Sequence, residues 1–237
     1  MAKFVLVHGS WLGAWCWREM IPRLAARGHE AVAIDLPAHG EDRTPLESVT
    51  FQHYVDRTVE AVNGSNAEAI LVGHSMGGAI VRQAAGLAPG RIRALVSVVS
   101  LLPKNGANLL SLVEGFDPEY LAQVHWSQDR RSARLSSEGL RRFACNCCAP
   151  AIVEAAEPLL TAEPVLPYET PLFFTDVGLP HDYIECRQDR IVPIALQRAM
   201  HAEFPADHIF ALDADHTPFF SAPEEFTSIL HRIAQRR

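Results

Sequence analysis

No run of apolar residues in the 237-residue chain approaches the ~20 needed to cross a bilayer, so nothing in the sequence asks for a membrane-spanning segment. The opening Met1-Ala2-Lys3 passes directly into Phe4-Val5-Leu6-Val7, too short for the apolar region of a secretory signal and followed by no cleavage site; a cytoplasmic location is expected. Positive charge is in deficit. The 21 Lys and Arg stand against 28 Asp and Glu, a net charge of −7, which disfavours general nucleic-acid binding, since that requires a cationic surface. The local basic clusters, Arg130, Arg131 and Arg134 and then Arg141 and Arg142, read as solvated helix faces. Cysteine is sparse and odd in number, five in all, so reduced thiols are expected in place of a disulfide framework. The cluster Cys145-Asn146-Cys147-Cys148 lacks the second ligand pair of a zinc site, and no metal is expected.

What the chain does have is 48% hydrophobic against 21% charged residues, the balance of a water-soluble globule with a sizeable core. Short β-branched apolar runs alternate with stretches of helical periodicity. Strands are predicted over Phe4 to His8, Glu30 to Leu36, Ala69 to Gly73 and Ile92 to Val99, and helices over Ala14 to Arg27, Phe51 to Val62 (with Thr50 as N-cap) and Ala79 to Ala88. Strands apolar on both faces imply an α/β fold, a mostly parallel, doubly wound sheet with helices on either side. From Pro103 to about Pro171 the rhythm breaks into helix-like pieces over Pro118 to Val124, Leu135 to Cys147 and Pro150 to Leu160, which suggests an inserted helical lid. It resumes with the strand His181 to Cys186, a helix from Ile194 to Glu203, the strand Asp207 to Leu212 and a last helix over Pro223 to Gln235. One domain, 1–237, is expected, with its core in 1–102 and 172–237 and the lid at about 103–171.

The most specific signal is Gly73-His74-Ser75-Met76-Gly77, a G-x-S-x-G run after an apolar strand and before an alanine-rich helix. A bare pentapeptide match describes an ordinary turn serine; the strand before it and the helix after it favour a nucleophile. Turning from strand to helix in two residues strains the Ser75 backbone, and flanking glycines remove the side chains that would collide. A serine hydroxyl needs a base, and the base needs an orienting carboxylate. Of eleven histidines, His216 sits in a short loop after an apolar strand and before the last helix, the place for the base. His8 and His74 read as turn-shaping or pocket-lining residues, and the others as mostly surface-exposed. Asp189, just past the strand ending at Cys186, is the preferred acid over Asp176, Asp182, Asp213 and Asp215; Asp215, adjoining His216, reads as a solvated loop carboxylate. The turn His8-Gly9-Ser10-Trp11-Leu12-Gly13 is expected to supply an oxyanion donor from the Ser10 N–H, paired with that of Met76. A dinucleotide site is excluded, because this loop has no G-x-G-x-x-G and places Trp11 where pyrophosphate would approach.

With Val7 to Trp17, Asp35-Leu36-Pro37-Ala38-His39-Gly40, Val72 to Gly78, Tyr183 to Arg190 and Asp215-His216-Thr217-Pro218-Phe219 in place, the chain resembles the α/β-hydrolase superfamily, and within it the branch of plant methylesterases, hydroxynitrile lyases and related bacterial esterases. The resemblance implies the α/β-hydrolase fold and a Ser75, Asp189, His216 triad. Two departures matter: Leu12 stands where many members carry a second histidine, and Thr217 where the lyases carry a lysine. The expected activity is hydrolysis of carboxylic esters of small to medium hydrophobic substrates through an acyl-enzyme, with Trp11, His74, Leu101, Trp126 and Thr217 contacting substrate and no cofactor implied. The alternatives are cyanohydrin cleavage and a non-catalytic small-molecule receptor on the same fold. A small-molecule ester is the expected partner, with a homodimer the one protein assembly allowed for.

Overall fold

The computed structural model describes residues 1–64 and 67–237. Strand β1 (Lys3–Val7) leads through a tight turn into a 3-10 segment (Ala14–Trp17), helix α1 (Met20–Ala25) and strand β2 (Glu30–Ile34). The one helix expected over 14–27 is therefore two pieces. Pro22 explains the break: lacking an N–H, it cannot sit deep in a continuous helix but fits the first turn of one starting at Met20. Helix α2 (Phe51–Asn63) is capped as expected, with the Thr50 hydroxyl accepting from the His53 N–H at 3.3 Å. Next come β3 (Ala69–His74), α3 (Gly77–Ala85) and β4 (Ile92–Val98).

Between β4 and the next core strand lies the lid region. It holds a 3-10 segment (Leu109–Gly115), α4 (Pro118–Leu121), β5 (Val124–Trp126), β6 (Ser132–Leu135), α5 (Ser137–Gly139) running into a π turn (Leu140–Ala144), α6 (Pro150–Ala156), β7 (Glu163–Pro164) and α7 (Leu166–Glu169). The insert carries the expected helices and, beyond them, three short strands, β5, β6 and β7, that pair antiparallel as a small separate sheet. Strands of two to four residues are too short to show a period of two in the sequence. Arg130, Arg131 and Arg134 accordingly lie on the β5–β6 hairpin and not on a helix face, with Arg130 at φ +56 in the turn.

The core resumes with β8 (His181–Cys186), α8 (Ile194–Glu203), β9 (His208–Leu212), α9 (Pro218–Ser221) and α10 (Pro223–Arg236). All five pairings of the main sheet are parallel, in the order β2-β1-β3-β4-β8-β9. Alternate side chains of each strand enter opposite layers. Val5, Val7 and Leu71 join Tyr54, Val55 and Ile80 of α2 and α3 on one side, while Phe4, Leu6 and Val72 join Met20, Leu24, Phe226 and Leu230 of α1 and α10 on the other. Chain order reverses between β1 and β3, so the loops leaving their carboxyl ends diverge and open a crevice there.

Candidate active site

Ser75 stands at that crevice, between β3 and α3, with φ +51, the left-handed region that costs a non-glycine residue about 1–2 kcal/mol. Its own N–H is tied to the Val98 carbonyl at 3.0 Å, which pins the elbow to β4. The flanking glycines are required by close approach: a Cβ on Gly73 would meet the Gly77 carbonyl oxygen at 2.4 Å, and one on Gly77 the Val7 carbonyl oxygen at 2.7 Å. The N–H groups of Ser10 and Met76, one after β1 and one opening α3, donate to no partner among the described residues. Met76 itself buries its side chain in the core.

Asp189 and His216 follow β8 and β9 at the same edge of the sheet. Asp189 Oδ1 accepts from the N–H groups of Ile191 (2.8 Å) and Val192 (2.9 Å), which leaves Oδ2 for His216 Nδ1 at 2.7 Å. That bond assigns the proton to Nδ1 and leaves Nε2 as the lone-pair nitrogen. Both side chains are buried, and His216 and Ser75 line one cavity. The Ser75 hydroxyl makes no hydrogen bond among the described residues, so it stays available to whatever enters. His74 Nε2 donates to the His216 carbonyl at 2.7 Å, steadying the loop that carries His216. Burial, reinforced by the neighbouring His216, holds the His74 ring well below the usual histidine range and so neutral.

The reading of Asp215 as a solvated carboxylate is corrected. It is fully buried, with Oδ1 accepting from the N–H of Thr217 (3.0 Å) and the hydroxyls of Thr217 and Ser221 (3.1 and 2.7 Å), while Oδ2 accepts from the Cys147 N–H at 2.8 Å. Asp215 thereby ties the loop that carries His216 to the lid. The five cysteines are free thiols, and Cys145 and Cys148 lie 3.4 and 3.7 Å from the Thr217 hydroxyl. Burial and the Cys145 thiol push Cys148 up, with the Cys145 hydrogen bond the larger cause, so Cys148 stays protonated. Among the described residues, no cluster of three or more His, Cys, Asp or Glu is placed to hold a metal, and no helix is long and apolar enough to cross a membrane.

The cavity holds about 260 Å³ and is walled mostly by apolar side chains, among them Leu110, Val113, Phe116, Leu121, Leu140 and Leu160 from the lid. Trp11, His74, Leu101, Trp126 and Thr217 all line it, as does Ser10; Trp126 is half exposed at its rim. Leu12, in place of a polar side chain, adds to the apolar wall.

Three polar residues of the wall had no signal in the sequence: Tyr120, Glu163 and Tyr168. Glu163 is buried and accepts from His39 Nε2 at 3.0 Å, the Tyr54 hydroxyl at 3.2 Å and the Trp11 N–H at 3.1 Å. A single glutamate between alanine and proline reads as solvated, and its partners stand more than a hundred residues away. His29, His39 and His181 are likewise buried, against the expectation of surface exposure. For His39, burial alone would depress the ring, but the Glu163 carboxylate outweighs it and the net direction is upward.

The α/β-hydrolase family profile matches residues 4–229, and the chain belongs to that family. Its branch is one of carboxylesterase-type hydrolases. Methylesterase 7 of Arabidopsis thaliana is 32% identical over 254 residues, covering 99% of this chain and 96% of that protein. A pyrethroid hydrolase of Sphingobium wenxiniae is 26% identical over 246 residues, covering 99% and 88%. Among solved structures, a pyrethroid hydrolase bound to BIF superimposes with a TM-score of 0.89 at 27% identity over 99% of this chain and 98% of its own. Polyneuridine aldehyde esterase, at 24% identity and a TM-score of 0.90, shares the fold.

Proposed function

We propose that the protein hydrolyses carboxylic esters of small to medium hydrophobic substrates through an acyl-enzyme. Ser75 Oγ attacks the ester carbonyl while His216 Nε2 takes its proton, Asp189 holds the imidazole, and the Ser10 and Met76 N–H groups receive the developing oxyanion. The imidazolium returns the proton to the departing alcohol. Water, deprotonated by the same nitrogen, then cleaves the acyl-serine and releases the acid. The observation that carries this reading is the 2.7 Å bond from His216 Nδ1 to Asp189, which leaves Nε2 free as a base in the cavity that Ser75 lines. Two unpaired N–H groups flanking the elbow add to it.

A mostly apolar cavity favours uncharged acyl and alkoxy groups, and the names of the relatives, methylesterase and pyrethroid hydrolase, point the same way. Thr217 after His216 brings no cation to hold departing cyanide, so nothing here favours cyanohydrin cleavage. Ser75→Ala is expected to lower kcat/KM on a chain-length and aryl series of p-nitrophenyl esters by about 10⁴- to 10⁶-fold. Turnover near the wild-type rate in a correctly folded Ser75→Ala protein would refute the assignment.

A further inference from the structure

We propose that Glu163, with Tyr168 beside it, is a positioning residue that fixes the first loop for oxyanion binding; this rests on the acyl-enzyme reading above, in which Ser75 is the nucleophile and the Ser10 N–H an oxyanion donor. The loop needs such a fixture. Trp11 sits at φ +61, a left-handed conformation that a bulky side chain does not adopt without support. Two lid contacts hold that backbone from opposite sides. The Trp11 N–H donates to Glu163 Oε2 at 3.1 Å, and the Trp11 carbonyl accepts from the Thr161 N–H at 2.9 Å. One residue back, the Ser10 hydroxyl is hydrogen-bonded to the Tyr168 hydroxyl. Residues 161–168 of the lid therefore grip both Ser10 and Trp11, and orient the two peptide groups that follow the donor, Ser10–Trp11 and Trp11–Leu12.

Glu163 is itself immobilised from the core. Its Oε2 also accepts from His39 Nε2 at 3.0 Å, and its Oε1 from the Tyr54 hydroxyl at 3.2 Å. His39 is anchored in turn through Nδ1 to the Pro37 carbonyl at 3.0 Å. Burying a carboxylate in an apolar wall is costly, and an ester pocket has no need of one for binding. Three protein donors already occupy this one, which fits a role exercised through the loop and not on the substrate. A rigid connection runs from α2 and the β2 loop, through one lid side chain, to the Trp11 N–H.

The test compares wild-type, Glu163→Leu and Tyr168→Phe proteins for kcat and KM on p-nitrophenyl butyrate, for affinity toward an alkylboronic acid that forms a tetrahedral adduct on serine, and for melting temperature. Active sites are counted by fluorophosphonate titration, so that misfolded protein does not enter kcat. Glu163→Leu keeps the bulk of the side chain and removes both acceptor oxygens, including the one that receives the Trp11 N–H. It is expected to lose about 10- to 100-fold in kcat, and a similar factor in boronate affinity, with KM held within about threefold. Tyr168→Phe, which removes one hydroxyl, is expected to shift the same two quantities by a smaller factor. An unchanged kcat with a raised KM would make Glu163 a substrate contact, and a lower melting temperature with unchanged kcat per titrated site would make it purely structural; either overturns the proposal. Failure of the underlying reading is separately visible, because Ser75→Ala would then retain turnover.

Discussion

Asp189 offers its two oxygens to different partners, two backbone N–H groups on one and the imidazole on the other. The backbone donors fix which atom faces His216, and that atom fixes the tautomer. Asp189→Asn is the sharpest test at this scale. The same backbone donors hold the amide oxygen, so the NH₂ group turns toward Nδ1, which must then accept; the proton moves to Nε2 and the base is lost. The expected fall in kcat is about 10⁴-fold with little change in melting temperature, and a kcat within tenfold of wild type contradicts it. Ser75, Asp189 and His216 stand out in the sequence because each lies shortly past a recognisable apolar strand. Glu163, His39 and Asp215 do not, because what gives them meaning is burial against residues remote in the chain, and a carboxylate or imidazole alone in a loop looks solvated.

The strand–elbow–helix unit of β3 and α3 leans on β1 through backbone, with no side chain to yield. Gly77→Ala places a Cβ 2.7 Å from the Val7 carbonyl oxygen and 2.8 Å from that of His8. Relieving the overlap moves the elbow away from the first loop, and with it Met76 from Ser10. A destabilisation of about 1–3 kcal/mol is expected, each kcal/mol appearing as a fall of about 2–4 °C in melting temperature, together with a lower kcat per folded molecule. Wild-type kcat and stability in Gly77→Ala would show that the contact is not what sets the spacing. At this scale the parallel strands and helices α2, α8 and α10 could be read closely, since strong periodicity and clear punctuation coincide in them. The first helix was misjudged where Pro22 overrides an otherwise helical pattern, and the lid strands escaped because they are held by cross-strand partners and not by any repeat of their own.

Across the whole molecule, the reversal of strand order brings four loop ends together, and the lid closes an apolar chamber over them. Burying so many histidines makes the assembly sensitive to acid. Desolvation lowers His8 from 6.5 to about 3 and His181 to about 4, and His74 moves the same way. Each is neutral when folded and protonates near 6.5 when unfolded, so its contribution is fully present above that pH and is lost as pH falls toward the folded value. His39 has the opposite sign: its raised value gives stability that is complete below 6.5 and declines as pH rises through the folded value. Melting temperature is therefore expected to peak near neutrality. His181→Gln, at a site remote from Ser75, removes one of these titrating groups and should flatten the decline between pH 6.5 and 4; an acid limb as steep as the wild type's contradicts this. The central claim, that one serine hydroxyl at the β1–β3 crevice forms the covalent intermediate, is tested most directly by mass-spectrometric mapping after reaction with a fluorophosphonate. The prediction is a single adduct per chain, located on Ser75, with loss of ester turnover in proportion to labelling. Full labelling of Ser75 with turnover intact, or an adduct on another residue that tracks the lost activity, would contradict it.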